Sequence, residues 1–189
     1  SPRESLGKAY KLCKKAMTLD ESQYFPHSLI GNIYTASTKY DLAIEEGKRA
    51  IAMNPNSADA YVWLAMSLNF AGRPEEAIDL IKKAMRLSPF PPAYYPMNLG
   101  FAYKEAGQYE EAISELKKCI KLRPNNIPAH TSLSTTYALA GRYEEAREAW
   151  SEVLKIYPKY SLEKSFNRCP YPPERCERNK AAMYRAGIK

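Results

Sequence analysis

Hydrophobic and polar positions recur with helical spacing along most of the chain. Ala77, Ile81 and Ala84 stand at i, i+4 and i+7, which puts them on one face of a helix. Ala112, Leu116 and Cys119 repeat this spacing, as do Ala146, Trp150 and Val153. The stretches "AGRPEEAIDLIKKAMRLSP" (71–89), "AGQYEEAISELKKCIKLRP" (106–124) and "AGRYEEAREAWSEVLKIYP" (140–158) align without gaps. Their closing prolines, with Pro55 before them, fall at 55, 89, 124 and 158, spaced 34, 35 and 34 residues apart. A period of that length with helical spacing inside it predicts a solenoid of helix pairs. Gly72, Gly107 and Gly141 mark the turn inside each pair, where glycine takes tight-turn backbone angles at no steric cost. The closing proline then ends the second helix, because its ring cannot continue the hydrogen-bond ladder.

These residues resemble the tetratricopeptide repeat family. Tyr61, Leu64, Ala65, Gly72, Ala77, Ala84 and Pro89 fall where its signature has an aromatic, a leucine, a small residue, the turn glycine, two alanines and the proline. The resemblance implies an all-α, right-handed superhelical solenoid of antiparallel helix pairs, with repeats over 24–57, 58–92, 93–126 and 127–160. In the first repeat Thr38 replaces the turn glycine and Gly47 replaces a bulky residue, which predicts looser packing there. The proline cluster at 89–92 is a repeat junction, and Pro96 fits the first turn of the next helix, where no hydrogen bond is lost.

The two ends differ from the repeats. Residues 4–20 read as a lone second helix with Ala9, Cys13, Ala16 and Leu19 on its packing face. Residues 1–22 thus correspond to half of a preceding repeat, and a chain that begins mid-repeat is expected to be a piece of a longer protein. Residues 161–189 predict a short helix near 161–168 and a polar capping helix near 173–186, with Glu174 early and Arg185 late as the helix dipole favours. "GRPEEAIDLIKKAMRLSPFPPAYYPMNLGFAYKEAGQYEEAI" and the C-terminal "YPKYSLEKSFNRCPYPPERCERNKAAMYRAGIK" are similar to the repeat region C-terminal to the catalytic domain of many bacterial class III adenylate/guanylate cyclases. That resemblance implies an adaptor or regulatory region of a bacterial signalling protein. No catalytic motif of a cyclase is present.

Composition narrows the picture further. The 189 residues, 45% of them apolar, are enough to bury roughly 70% of the extended surface. No apolar run approaches the roughly 20 residues a membrane span needs. The net charge of +7 sits at the ends: residues 1–20 carry +3, residues 161–189 carry +4, and the middle has 16 basic and 16 acidic side chains. A neutral middle without a basic stripe argues against nucleic acid as the partner. The four cysteines form no CxxC pair. Cys13 and Cys119 read as buried small hydrophobes; Cys169 and Cys176 are close enough in sequence for a local disulfide, but the expected setting is reducing and cytoplasmic.

Candidate chemistry is sparse. Glu75-Glu76, Glu110-Glu111 and Glu144-Glu145 recur early in their helices, where the dipole favours negative charge. His27 and His130 hold the aromatic position of their repeats and are expected to pack. With no nucleophile in a recognisable setting, no metal-ligand spacing and no phosphate loop, the chain reads as a non-enzyme needing no cofactor.

The resemblance implies that the first helix of each repeat lines a concave face. Its inward positions are Phe25, Ser28 and Asn32; Val62, Trp63, Met66, Asn69 and Phe70; Tyr94, Met97, Asn98, Phe101 and Lys104; and Thr131 and Thr135. Aromatic and methionine side chains beside asparagines can grip apolar side chains and hydrogen-bond a peptide backbone. Ser28, Trp63, Tyr94 and Asn98 stand where the family's carboxylate-clamp binders carry other residues, so a carboxylate clamp is not expected. The expected function is a protein-interaction scaffold with a peptide or protein ligand, and the alternative is a homo-oligomerisation module.

Overall fold

The computed structural model describes residues 2–20, 22–166 and 171–188, and every regular element among them is helical. The chain divides into two compact units, Ser1–Phe90 and Pro91–Lys189. The division falls inside the Pro89-Phe90-Pro91-Pro92 junction, where Phe90 is almost wholly exposed.

Unit 1 holds α1 (Pro2–Leu19), α2 (Tyr24–Ala36), α3 (Tyr40–Met53), α4 (Ala58–Phe70) and α5 (Pro74–Leu87). Helix α2 pairs with α3 and α4 with α5, while α3 and α2 both pack on α4 and α1 packs on α2. Unit 2 holds α6 (Tyr94–Glu105), α7 (Tyr109–Leu122), α8 (Ile127–Leu139), α9 (Tyr143–Ile156), α10 (Leu162–Phe166) and α11 (Pro173–Arg185). In it α6 pairs with α7, α8 with α9, and α7 packs on α8. Each unit is therefore a stack of helix pairs, as the period predicts.

Local chemistry sets the helix ends. Ser57 Oγ accepts from Ala60 N–H, and Asn126 Oδ1 from Ala129 N–H, each capping the helix that follows. Pro26, Pro96 and Pro128 lie in first turns of α2, α6 and α8, where the missing N–H has no intrahelical acceptor. Gly72, Gly107 and Gly141 all take positive φ, from 76° to 87°.

One contact recurs inside the pairs. Ala43, Ala77, Ala112 and Ala146 have no exposed surface. A methyl added at Gly31 would stand 3.2 Å from Ala43 O, and one at Gly100 would stand 3.2 Å from Ala112 O and 2.7 Å from Leu116 Cγ. Ser134, in the same register, donates to Ala146 O at 2.7 Å. Small residues here let the first helix lie directly on the backbone of the second.

Several expectations are corrected. Gly47 does not loosen the first repeat: a Cβ there would meet Leu64 Cδ1 at 2.9 Å and Leu64 Cα at 3.3 Å, so the missing side chain lets α4 close against α3. In α1, Cys13 is buried but Leu19 is 78% exposed, because only one flank of α1 meets α2. Cys176 is disulfide-bonded rather than a reduced thiol, whereas Cys13 and Cys119 are free and buried. Cys169, Pro170 and Glu21 lie outside the described residues.

Thr38 occupies the turn position with φ of 57°, a left-handed conformation that costs a β-branched residue on the order of 1–3 kcal/mol. Glycine removes that strain but adds about 0.5–1 kcal/mol of unfolded-state freedom. Thr38→Gly should therefore stabilise the chain by about 1 kcal/mol, read as a higher urea midpoint at unchanged m-value. A lower midpoint would show that the turn is not strained.

Candidate functional site

The inward positions of unit 1 lie on α2 and α4, two helices whose only charged side chain is Asp59. Phe25, in the first turn of α2, is 47% exposed. Its ring meets that of Trp63 on α4 with centroids 5.5 Å apart and planes at 55°, within the range where aromatic pairs attract. Trp63, Met66 and Phe70 follow at i, i+3 and i+7, all half-buried, while Asn69 is buried beside them. On α2, Ser28 and Asn32 stand one turn apart. Ser28 Oγ and Asn32 Oδ1 are covered by protein yet have no hydrogen-bond partner among the described residues. The Thr35 and Ser67 hydroxyls, 2.8 Å apart, tie α2 to α4 beneath this face.

Both histidines are structural. His27 Nδ1 lies 2.6 Å from Glu46 Oε2, joining α2 to α3 in a buried pair. His130 Nε2 lies 2.7 Å from Pro124 O. A carbonyl can only accept, so that nitrogen carries the proton. Tyr61 OH donates to Pro55 O at 3.0 Å in the same register, so the aromatic position reaches back to the closing proline of the preceding repeat in both cases. The glutamate pairs are surface features: Arg73 binds Glu76 at 2.5 Å, and Arg142 bridges Glu145 of its own helix and Glu110 of α7.

In unit 2 the inward positions are differently disposed. Tyr94 is half-buried, its ring 4.8 Å from that of Tyr95. Met97 and Phe101 pack against the core. Asn98 is buried and its Nδ2 donates to Tyr94 O at 2.8 Å. Thr135 is buried and donates to Thr131 O at 2.9 Å, while Thr131 is half-buried. Lys104 is buried, with Nζ 3.0 Å from Glu105 Oε1 and 5.4 Å from the Tyr171 ring centroid.

Glu105 was not among the sequence candidates. Its side chain has no exposed surface and collects three cations, Lys104 together with Arg175 and Arg178 of α11. Arg175 Nε donates at 2.8 Å, Arg178 Nη2 at 2.6 Å and Asn179 Nδ2 at 3.4 Å. Its sequence signal is position: Ala36, Phe70 and Leu139 hold the same register in the other repeats, and Glu105 alone there is charged.

The repeat pattern is matched by a family model described as tetratricopeptide repeat, over residues 34–97 and 103–162. The chain belongs to the tetratricopeptide repeat family. No curated protein matches it. Among solved structures it is similar to PilW, a widely conserved type IV pilus biogenesis factor, at 21% identity and TM-score 0.76, covering 95% of this chain and 84% of that one. It is also similar to MamA, at 25% identity and TM-score 0.65 over 84% of this chain and 92% of that chain. YrrB, described as a TPR protein with an unusual peptide-binding site, matches at 22% identity and TM-score 0.64, over 89% and 87%. Neither the family match nor these structures link the repeats to nucleotide cyclases. Among the described residues no cluster of three or more His, Cys, Asp or Glu could hold a metal, and no helix is long and apolar enough to cross a membrane.

Burial alone would push the Glu105 carboxyl up, but Lys104, Arg175 and Arg178 outweigh it and hold the group down at about 2, below its ordinary 4.5. A depressed acid contributes stability above its unfolded value and loses it as pH falls toward the folded one. Glu105 should therefore contribute about 3 kcal/mol at neutral pH, fading as pH drops from 4.5 toward 2. Thermal melts of wild type and Glu105→Gln should converge across that window; a gap independent of pH would refute the ionised cluster.

Proposed function

We propose that the chain is a protein-interaction scaffold whose α2–α4 face in unit 1 receives a partner peptide. The observation that carries this reading is the solvent-facing Phe25–Trp63 pair beside two covered oxygens, Ser28 Oγ and Asn32 Oδ1, that have no donor. A covered acceptor without a donor is costly, on the order of 1–3 kcal/mol, and rotation of the half-buried Asn32 amide toward the surface on docking would let a peptide N–H satisfy it. The face carries no cation to hold a terminal carboxylate or an acidic segment, so the partner is an uncharged stretch with an apolar or aromatic anchor. Peptide binding by YrrB, in the same fold, supports a peptide as the ligand. Membership in a larger bacterial signalling protein rests on the motifs similar to cyclase-linked repeat regions and extends the same proposal: the scaffold would recruit a partner to a catalytic neighbour.

Trp63 is half-buried and Trp150, the other tryptophan, is buried, so a Trp150→Phe background isolates the fluorescence of the site. Peptides selected from a display library should shift that emission on binding. Phe25→Ala with Asn32→Ala should weaken the best peptide by about 30-fold, as loss of one interface anchor does, with the helical circular-dichroism signal kept. Unchanged affinity in a folded double variant would overturn the assignment.

A further inference from the structure

In unit 2 the C-terminal helix α11 lies on α8 and reaches the end of α6, where Glu105 holds the register of Phe70 in unit 1. A further repeat would place its first helix against α9, as α4 lies on α3 and α8 on α7. Instead α11 packs on α8, and its side chains reach Glu105 at the end of α6. Its contact with α9 includes the Arg147 guanidinium donating to Ala186 O at 2.9 Å. The contacting stripe is Arg175, Arg178, Asn179, Ala182, Met183 and Ala186, at i, i+3, i+4, i+7, i+8 and i+11. The first half carries charge onto the buried Glu105. In the second half Ala182, Met183 and Ala186 are wholly buried, and the Met183 sulfur lies 3.7 Å from Ser134 Oγ. The opposite side of α11 is charged and exposed, so the helix is held by one narrow stripe.

We propose that the inner face of unit 2 is a helix-binding site, that α11 is its exchangeable resident, and that it admits a partner helix with two arginines at i and i+3 followed by alanine and methionine at i+7 and i+8. Charge complementarity names the partner. Glu105 is a buried anion that the repeat fold does not need, since its counterparts are apolar, and it selects a basic helix over a neutral or acidic one. The small residues at i+7 and i+11 allow close approach to α8. The tether of α11 sets the gate: an intramolecular ligand acts at an effective concentration on the order of millimolar, so an external helix gains entry only by fitting better or after α11 is released. This site is separate from the unit 1 peptide face, and either can fail without the other.

The test uses the full chain carrying Arg175→Glu and Arg178→Glu, which turns α11 against Glu105, and a labelled peptide of residues 172–188 with the native sequence. The peptide should bind this variant about 100-fold more tightly than wild type, where tethered α11 competes. Adding Glu105→Arg should abolish that binding, because the native peptide's arginines then face a cation while the tethered α11, now carrying two glutamates, fits the site again. Trp63→Ala should leave both results unchanged. Failure of the native peptide to bind a folded released variant would overturn the proposal. A wild-type dimer that the peptide dissociates would assign the site to a second copy's α11, overturning the separate partner. Should the released variant not fold, native-state hydrogen exchange on wild type decides: α11 amides should open at least ~100-fold more often than those of α8, whereas exchange only with the whole of unit 2 would make α11 a fixed part of the core.

Discussion

The contact on which the structure depends is the approach of the first helices α2, α6 and α8 to an alanine carbonyl of their partners. At Gly31, Gly100 and Ser134 the side chain is absent or small, and the second helix's Ala43, Ala112 or Ala146 backbone lies against it. Any larger group would push the pair apart. Because the pair is held by backbone proximity, the outward and inward faces are left free of core duty, and inward residues can vary without loss of the fold. That freedom explains why Phe25, Trp63 and Met66 occupy one unit's inner face while Asn98, Lys104 and Thr135 occupy the other's.

The two units use this freedom differently. In unit 1 an aromatic pair faces solvent from two helices almost without charge, and two donorless oxygens, Ser28 Oγ and Asn32 Oδ1, lie covered beside it. In unit 2 α11 lies on α8, and Glu105, paired with the inward Lys104, is also satisfied by two arginines from seventy or more residues downstream. A buried carboxylate with three cations around it is a specificity element: removing a partner leaves an uncompensated charge, so the identity of the helix that occupies the site matters.

Much of this was legible in the sequence because the repeat supplies four readings of each position. The turn glycines, the first-turn prolines, the buried alanines and the packing roles of His27 and His130 all follow from register. Gly47 misled for a physical reason: a missing side chain can be answered by closer approach as well as by looseness, and only the neighbouring Leu64 decides. Leu19 misled because α1 has one neighbour, so its apolar face is only partly covered. The inward positions of unit 2 could be named but not their burial, since no local pattern tells that a C-terminal helix returns to lie on α8. The lone charge at Glu105 among Ala36, Phe70 and Leu139 was the available clue, and the arginine spacing of α11 was its complement.

The unit 1 face presents Trp63 and Met66 to solvent, whereas in unit 2 the chain's own α11 lies on α8 with Met183 wholly buried. Hydroxyl-radical footprinting tests this contrast with chemically matched pairs, since Trp63 and Met66 lie on the unit 1 face while Trp150 and Met183 lie in the core of unit 2. The account predicts rapid oxidation of Trp63 and Met66 with Trp150 and Met183 protected in the same sample. Equal rates within either pair would contradict it.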